Sequence, residues 1–156
     1  MKQLLAPLFV LTLFSACGKI HLAEKNVAIP DQAWSAGFQP KIEFDITDDT
    51  ATLYNIYVVL RHNDAYRYKN IWMEIALQPP GDSAYTTRRE LLLANDAKGW
   101  LGTGMDDLYE HRILLTSKPT LFTKKGRYAF TLKQIMREDP LENVMNVGIR
   151  IEKAKE

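Results

Sequence analysis

The sequence predicts an all-β fold: a single antiparallel β-sandwich, jelly-roll-like in its strand spacing, behind an N-terminal lipoprotein signal peptide. Three observations predict it. About seven short segments alternate apolar and polar residues, which puts every second side chain on one face of a sheet. Clusters of Gly, Pro, Asn and Asp stand between those segments, where chain reversals need them. No segment carries the apolar period of a long amphipathic helix. The chain divides into residues 1–16 as signal peptide, 17–29 as lipidated tether and 30–156 as the sandwich domain.

The N-terminal reading turns on Cys17, the only cysteine in the chain. Met1-Lys2 gives a positive start, Leu4 to Phe14 an apolar run, and Ser15-Ala16 the small residues before a cut. The run is too short to span a bilayer. A cysteine directly after the small residues is the site at which bacterial lipoproteins accept a diacylglycerol as a thioether, before a peptidase cuts on its N-terminal side. Thiolate nucleophilicity is what that transfer requires; serine would leave an ordinary secreted protein. Phe14 stands where leucine is usual. Two or three acyl chains hold a protein firmly, since each buried methylene contributes about 0.8 kcal/mol and one chain alone binds marginally.

Gly18 to Ala28 has mixed polarity and no sustained period, as expected of a tether. Pro30 to Trp34, with Gly37 and Pro40, is rich in turn signals. Lys41 to Thr47 alternates strictly, with Ile42, Phe44 and Ile46 on one face. Asp48-Asp49 is a predicted turn. Thr52 to Arg61 is apolar on both faces: Tyr54, Ile56, Val58 and Leu60 on one, Leu53, Tyr57 and Val59 on the other. That is the pattern of a central strand covered on both sides. His62-Asn63-Asp64 is a predicted turn. Asn70 to Gln78 points Ile71, Met73, Ile75 and Leu77 inward and Trp72 and Glu74 outward, and Pro79 to Asp82 ends it. Tyr85 to Leu93 reads as a strand, with a helical alternative over Arg88 to Leu93. Tyr109 to Thr116, Arg127 to Leu132 and Val144 to Ile151 complete the set. One helical turn is expected over Gln134 to Glu138, stopped by Pro140.

Once the signal is removed, the chain has 19 basic and 19 acidic side chains, because Lys2 is the only charge lost. That balance argues against nucleic acid, which needs a basic face to neutralise phosphates. With its one cysteine acylated, the domain has no disulfide and must stand on apolar packing. Gly99 to Asp107 matches neither a phosphate loop nor a dinucleotide fingerprint, and reads as a loop needing positive φ at Gly102 and Gly104, anchored by Trp100. Asp82, Asp96, Asp106 and Asp107 fit no calcium-loop spacing and read as solvated turn carboxylates. His21, His62 and His111 lack metal-ligand spacing, so no metal and no cofactor is expected. Glu43, Glu74, Glu90 and Glu110 lie on strands, where a paired-carboxylate hydrolase would carry them. No nucleophile motif accompanies them, and the chain is read as non-enzymatic. Trp72, Trp100, Tyr66 and Tyr68 are the candidate contact residues, for a protein partner or, alternatively, for a glycan stacked on exposed rings.

Several stretches together resemble a known family. They are the signal ending in Cys17, Tyr68-Lys69-Asn70-Ile71-Trp72-Met73-Glu74, Gly99-Trp100-Leu101-Gly102-Thr103-Gly104 and Gly126-Arg127-Tyr128-Ala129-Phe130. Gln134-Ile135-Met136-Arg137, Asp139-Pro140-Leu141 and Val147-Gly148-Ile149 complete the pattern. In order and spacing they are similar to the gliding motility lipoprotein GldH family. The resemblance implies a lipid-anchored cell-envelope protein of the Bacteroidetes type, needed for gliding, with an accessory role beside the type IX secretion apparatus and its envelope proteins as partners. It implies no catalytic residues. Gly18 follows the acylated cysteine in place of the aspartate that retains lipoproteins at the inner membrane of enteric bacteria. Residues 18–22 lack an acidic surface-export pair. The expected location is the periplasmic face of the outer membrane.

Overall fold

The computed structural model describes residues 22–47 and 50–154. Cys17, the signal peptide and the expected Asp48-Asp49 turn lie outside the described residues. In chain order the strands are β1 (Leu22–Ala28), β2 (Ala33–Trp34), β3 (Lys41–Ile46), β4 (Leu53–Asn63), β5 (Asn70–Gln78), β6 (Tyr85–Leu92) and β7 (Ala94–Asn95). They continue as β8 (Gly99–Trp100), β9 (Thr103–Met105), β10 (Leu108–Leu114), β11 (Thr120–Leu121), β12 (Gly126–Gln134), β13 (Leu141–Glu142) and β14 (Val144–Lys153). Among the described residues the only helical piece is a 3-10 turn at Pro30–Gln32.

Two antiparallel sheets face each other, as the strand pattern predicts. The first has the order β1-β14-β4-β10-β9, with β11 also pairing the start of β4; the second has the order β3-β12-β5-β6. β4 is central, flanked by β14 on one side and by β10 and β11 on the other, but the expected cover on both faces is met only on the inner one: of the outward residues Leu53 to Arg61, Val59 alone is buried. Tyr54, Ile56, Val58 and Leu60 point into the sandwich with Val147, Ile149 and Ile151 of β14. Ile42, Phe44 and Ile46 of β3, Ile71, Met73 and Ile75 of β5, and Tyr128, Phe130 and Leu132 of β12 meet them from the other sheet. Phe44 and Phe130 pack edge to face at 6.1 Å.

β1 corrects the expected tether. Residues 22–28 pair with β14 along their whole length, from Leu22 opposite Glu152 to Ala28 opposite Asn146. The alternation is hidden because the inward positions are Ala23, Lys25 and Val27. Lys25 keeps its charge satisfied at the rim of the core: its Nζ donates to the Glu43 carbonyl at 2.6 Å and lies 5.2 Å from the centre of the Phe44 ring. Gly148 makes this pairing possible, since a Cβ there would stand 2.5 Å from the Lys25 carbonyl oxygen.

The expected helical turn at Gln134 to Glu138 is absent. β12 runs through Gln134, whose buried amide Nε2 donates to the carbonyls of Trp34 and Glu138, while its Oε1 accepts from the Met136 amide at 2.8 Å. A side chain closes this turn instead of backbone bonds. The expected turn at His62 to Asp64 begins later, because β4 continues through Asn63. Met145 is only half-buried: a bulge between Val144 and Asn146 turns Val144 inward in its place.

Trp34 is fully buried and donates its indole N–H to the Phe38 carbonyl at 2.8 Å, while β2 pairs with β13 through Leu141. It closes the end of the sandwich where β14 begins. Trp34→Ala is expected to lower unfolding stability by about 3–5 kcal/mol in chemical denaturation; a loss below about 1 kcal/mol would mean that this end is not packed as described.

Candidate partner-contact site

Alternation along β4 carries His62 inward, in phase with Tyr54 to Leu60, and pairing with β10 brings His111 inward beside Leu60. The two imidazoles lie diagonally across the strand pair and stack at 5.0 Å between ring centres, with Nε2 atoms 2.9 Å apart. Both rings are buried. His62 Nδ1 lies 2.7 Å from the Asn63 carbonyl, an acceptor only, so this nitrogen carries the proton. His62 Nε2 is then the acceptor and His111 Nε2–H the donor: the geometry suits a neutral pair.

Aromatic rings enclose the pair. Trp100 sits 4.4 Å from the His62 ring, Tyr66 5.1 Å and Tyr109 5.6 Å, centre to centre. Tyr66 donates its hydroxyl to the Asn70 carbonyl at 2.9 Å, and burial pushes its phenol pKa up. Tyr68 packs edge-on against Tyr66 at 5.8 Å and donates its hydroxyl to Glu138 Oε2 at 2.7 Å, a bond that raises its pKa. Tyr68 also lines a shallow surface cavity with Trp72, Ile135, Met136 and Arg137. Trp72, 42% exposed, presents its ring on the outer face of the second sheet.

Three of the four predicted contact residues, Tyr66, Tyr68 and Trp100, therefore meet in one cluster, and Tyr68 links it to Trp72. The expectation of exposed rings holds for Trp72 and not for Tyr66, which is buried; Trp100 is half-buried against His62. Sequence reasoning missed the histidine pair. Its signal was the period of two, which places both imidazoles on inward positions even though spacing along the chain separates them.

Glycines shape the cluster through space rather than through φ. Positive φ occurs at Gly99 and not at Gly102 or Gly104, a correction to the expected loop geometry. A Cβ on Gly102 would stand 2.6 Å from the Glu110 carbonyl oxygen and 2.9 Å from the His111 ring; one on Gly104 would stand 3.0 Å from the Tyr109 ring. Asp106-Asp107 form the two-residue turn of the β9–β10 hairpin, with Asp106 at φ 53°. Among the described residues no three His, Cys, Asp or Glu side chains come together as metal ligands. The strand carboxylates meet partners: Glu43 pairs with Lys41, Glu74 with Arg88, Glu110 with Arg61 and Arg112, and Glu90 accepts from Asn70. A larger cavity of about 370 Å³ lies between the sheets near the start of β4, lined by Ile56, Leu77, Tyr85, Leu121, Phe122 and Tyr128 among others.

Burial pushes both histidines below their usual range, His111 down to about 4 from 6.5. In the unfolded chain they bind protons from about pH 6.5 downward. Their contribution to stability is thus complete above pH 6.5 and is lost as pH falls. For His111 the loss accumulates down to about pH 4 and amounts to at most about 3 kcal/mol. Unfolding measured across this window is expected to flatten in His111→Gln; an unchanged pH slope in that variant would contradict the neutral pair.

The family model described as GldH lipoprotein matches residues 21–151. The chain is 27% identical over 154 residues to the gliding motility lipoprotein GldH homolog of Christiangramia forsetii, covering 94% of this chain and 93% of that protein. It is also 27% identical over 152 residues to the gliding motility lipoprotein GldH of Flavobacterium johnsoniae, covering 93% of this chain and 92% of that protein. Among solved structures, a carbohydrate-binding module specific for non-crystalline cellulose aligns with 85% of this chain and 73% of its own, at 15% identity and a TM-score of 0.44. That likeness is too loose to bear on ligand.

Proposed function

This chain belongs to the GldH lipoprotein family, and on that premise we propose that it is a lipid-tethered, non-enzymatic accessory of the gliding and type IX secretion apparatus in the cell envelope. The carrying observation is the extent of the match. It runs from residue 21, four positions after Cys17, through Ile151 in the last strand, so the whole sandwich matches the family. Both relatives carry gliding motility lipoprotein in their names. Acylation of Cys17 holds the domain on the membrane, facing the periplasm, with the outer membrane as its site.

Docking to an envelope protein is assigned to the end of the sandwich that bears Trp72, Tyr68 and Trp100. Rings braced from behind, as Trp100 is by His62 and Tyr68 by Glu138, give contact area at little conformational cost. Leu101, 41% exposed, follows Trp100 directly and adds apolar surface beside it. Burial of Tyr66 takes one ring away from any glycan platform, which leaves the protein-partner reading the stronger.

Cys17→Ser is expected to move the protein from the membrane fraction to the soluble periplasm; full membrane retention would contradict the anchor. In cells carrying the acylated protein, Trp72→Ala is expected to lower cross-linking to an envelope protein several-fold without changing abundance. An unchanged cross-link pattern would remove Trp72 from the docking surface.

A further inference from the structure

We propose that the first sheet meets the lipid bilayer directly, through an apolar patch on its outer face at the end where β1 begins. The inference rests on the reading of Cys17 as the acylated residue, and adds an orientation to it.

Register places the patch. On β4 the residues facing away from the sandwich are Leu53, Asn55, Tyr57, Val59 and Arg61. Leu121 lies opposite Leu53, Leu114 opposite Tyr57, and Glu152 opposite Asn55, with Leu22 beyond it on β1. Four large apolar side chains thus share one face, Leu53 and Leu121 at its end and Leu22 and Leu114 level with the next two outward positions of β4. Leu22 is 52% exposed, Leu53 46%, Leu114 43% and Leu121 44%. Leucines scattered over a surface need no explanation; a cluster of this kind marks a contact.

The occupant follows from where the anchored chain arrives. Leu22 is itself part of the patch, and only residues 18–21 separate it from Cys17. Fully extended, that connection spans at most about 18 Å, at about 3.6 Å per residue. A diacylated Cys17 in the bilayer therefore holds this end of the sheet within reach of the headgroups, where exposed leucines gain by leaving water. The opposite end, with Met105, Leu108 and the aromatic cluster, faces away.

Charges on the same face limit the depth. Arg150 pairs with Glu24 at 3.2 Å and with Glu152 at 3.1 Å, Arg112 with Glu110 at 2.6 Å, and Arg61 with Glu110. This ladder begins at the level of Asn55 and Tyr57, roughly 7–13 Å along β4 from Leu53 at about 3.3 Å per residue. Interfacial burial of about 5–10 Å covers Leu53 and Leu121 and leaves most of the ladder among the headgroups.

The full-length acylated protein, reconstituted in phosphatidylethanolamine–phosphatidylglycerol vesicles containing nitroxide-labelled lipid, tests this. Its acylated Cys17 is blocked, so a fluorophore attaches only at an introduced thiol: Leu53→Cys, Leu121→Cys or, at the far end, Met105→Cys. All three positions are exposed, and each variant is carried forward with an unfolding midpoint matching the parent. Lipid-borne nitroxide is expected to quench the label at Leu53→Cys and Leu121→Cys several-fold more than at Met105→Cys. Vesicle-bound protein quenched equally at all three sites overturns the orientation while leaving the anchor intact. Labels at Leu53→Cys and Leu121→Cys that are shielded from water yet unquenched overturn the bilayer as occupant and indicate protein instead. Protein that floats free of vesicles with an unmodified Cys17 overturns the anchor, and the orientation with it.

Discussion

The pairing of β1 with β14 is the constraint on which the rest depends. Seven residues, Leu22 to Ala28, lie in continuous register with Glu152 to Asn146, and the Ile29 amide extends the ladder to the Met145 carbonyl at 2.8 Å. This pairing makes residues 22–28 the edge of a sheet in place of a leash. A flexible linker would let the domain sample every orientation above a membrane. A strand does not. It fixes which end of the sheet lies near residue 22, and it requires Gly148 to stay free of a side chain so that β1 can approach.

From that edge the sheet organises two unlike ends. At the end where β1 begins, the outer face carries leucines, bounded along the strands by a ladder of arginine and glutamate. Val59 sits within that ladder, between Gly148 and Arg112, and is fully buried although it faces outward. At the far end, the inward positions of β4 and β10 hold two neutral histidines, and Trp100, Tyr66 and Tyr109 close over them. Burying two imidazoles is tolerable because each finds a hydrogen-bond partner and neither is charged. The consequence is a rigid platform behind Tyr68 and Trp100, in place of a mobile loop. Gly102 is small for the sake of this packing: its missing Cβ is the space the His111 ring uses.

Much of the sandwich was legible in the sequence because apolar alternation tracks burial wherever a strand has a dry face. The alternation of β5 marks its observed bounds, and the apolar residues at both sets of alternate positions mark β4 as a central strand. The failures share one physical origin: a polar side chain at an inward position. Lys25 hides β1, yet its aliphatic stem and one hydrogen bond let it sit at the edge of the core. Gln134 suggests a helical start, yet its amide satisfies three backbone groups inside the fold. His62 suggests a turn, yet it is matched by His111, a residue 49 positions away. Hydropathy scores each as surface; a partner distant in sequence makes Gln134 and His62 interior, while Lys25 stays exposed on an inward-facing position. The contact residues were half legible. Aromatic composition picked out Trp72, Tyr68 and Trp100, while the burial of Tyr66 depends on packing that no local pattern encodes.

Amide hydrogen exchange on the full-length protein measures the central claim most directly. The Ile29 amide bonds β14, and antiparallel geometry puts the Val27 and Lys25 amides on the same ladder. These amides are expected to exchange far more slowly than an unstructured peptide, with protection tracking that of their β14 partners. Exchange at Lys25 and Val27 at the rate of an unstructured chain would contradict the account, because β1 would then be a free tether and not the edge of the sheet.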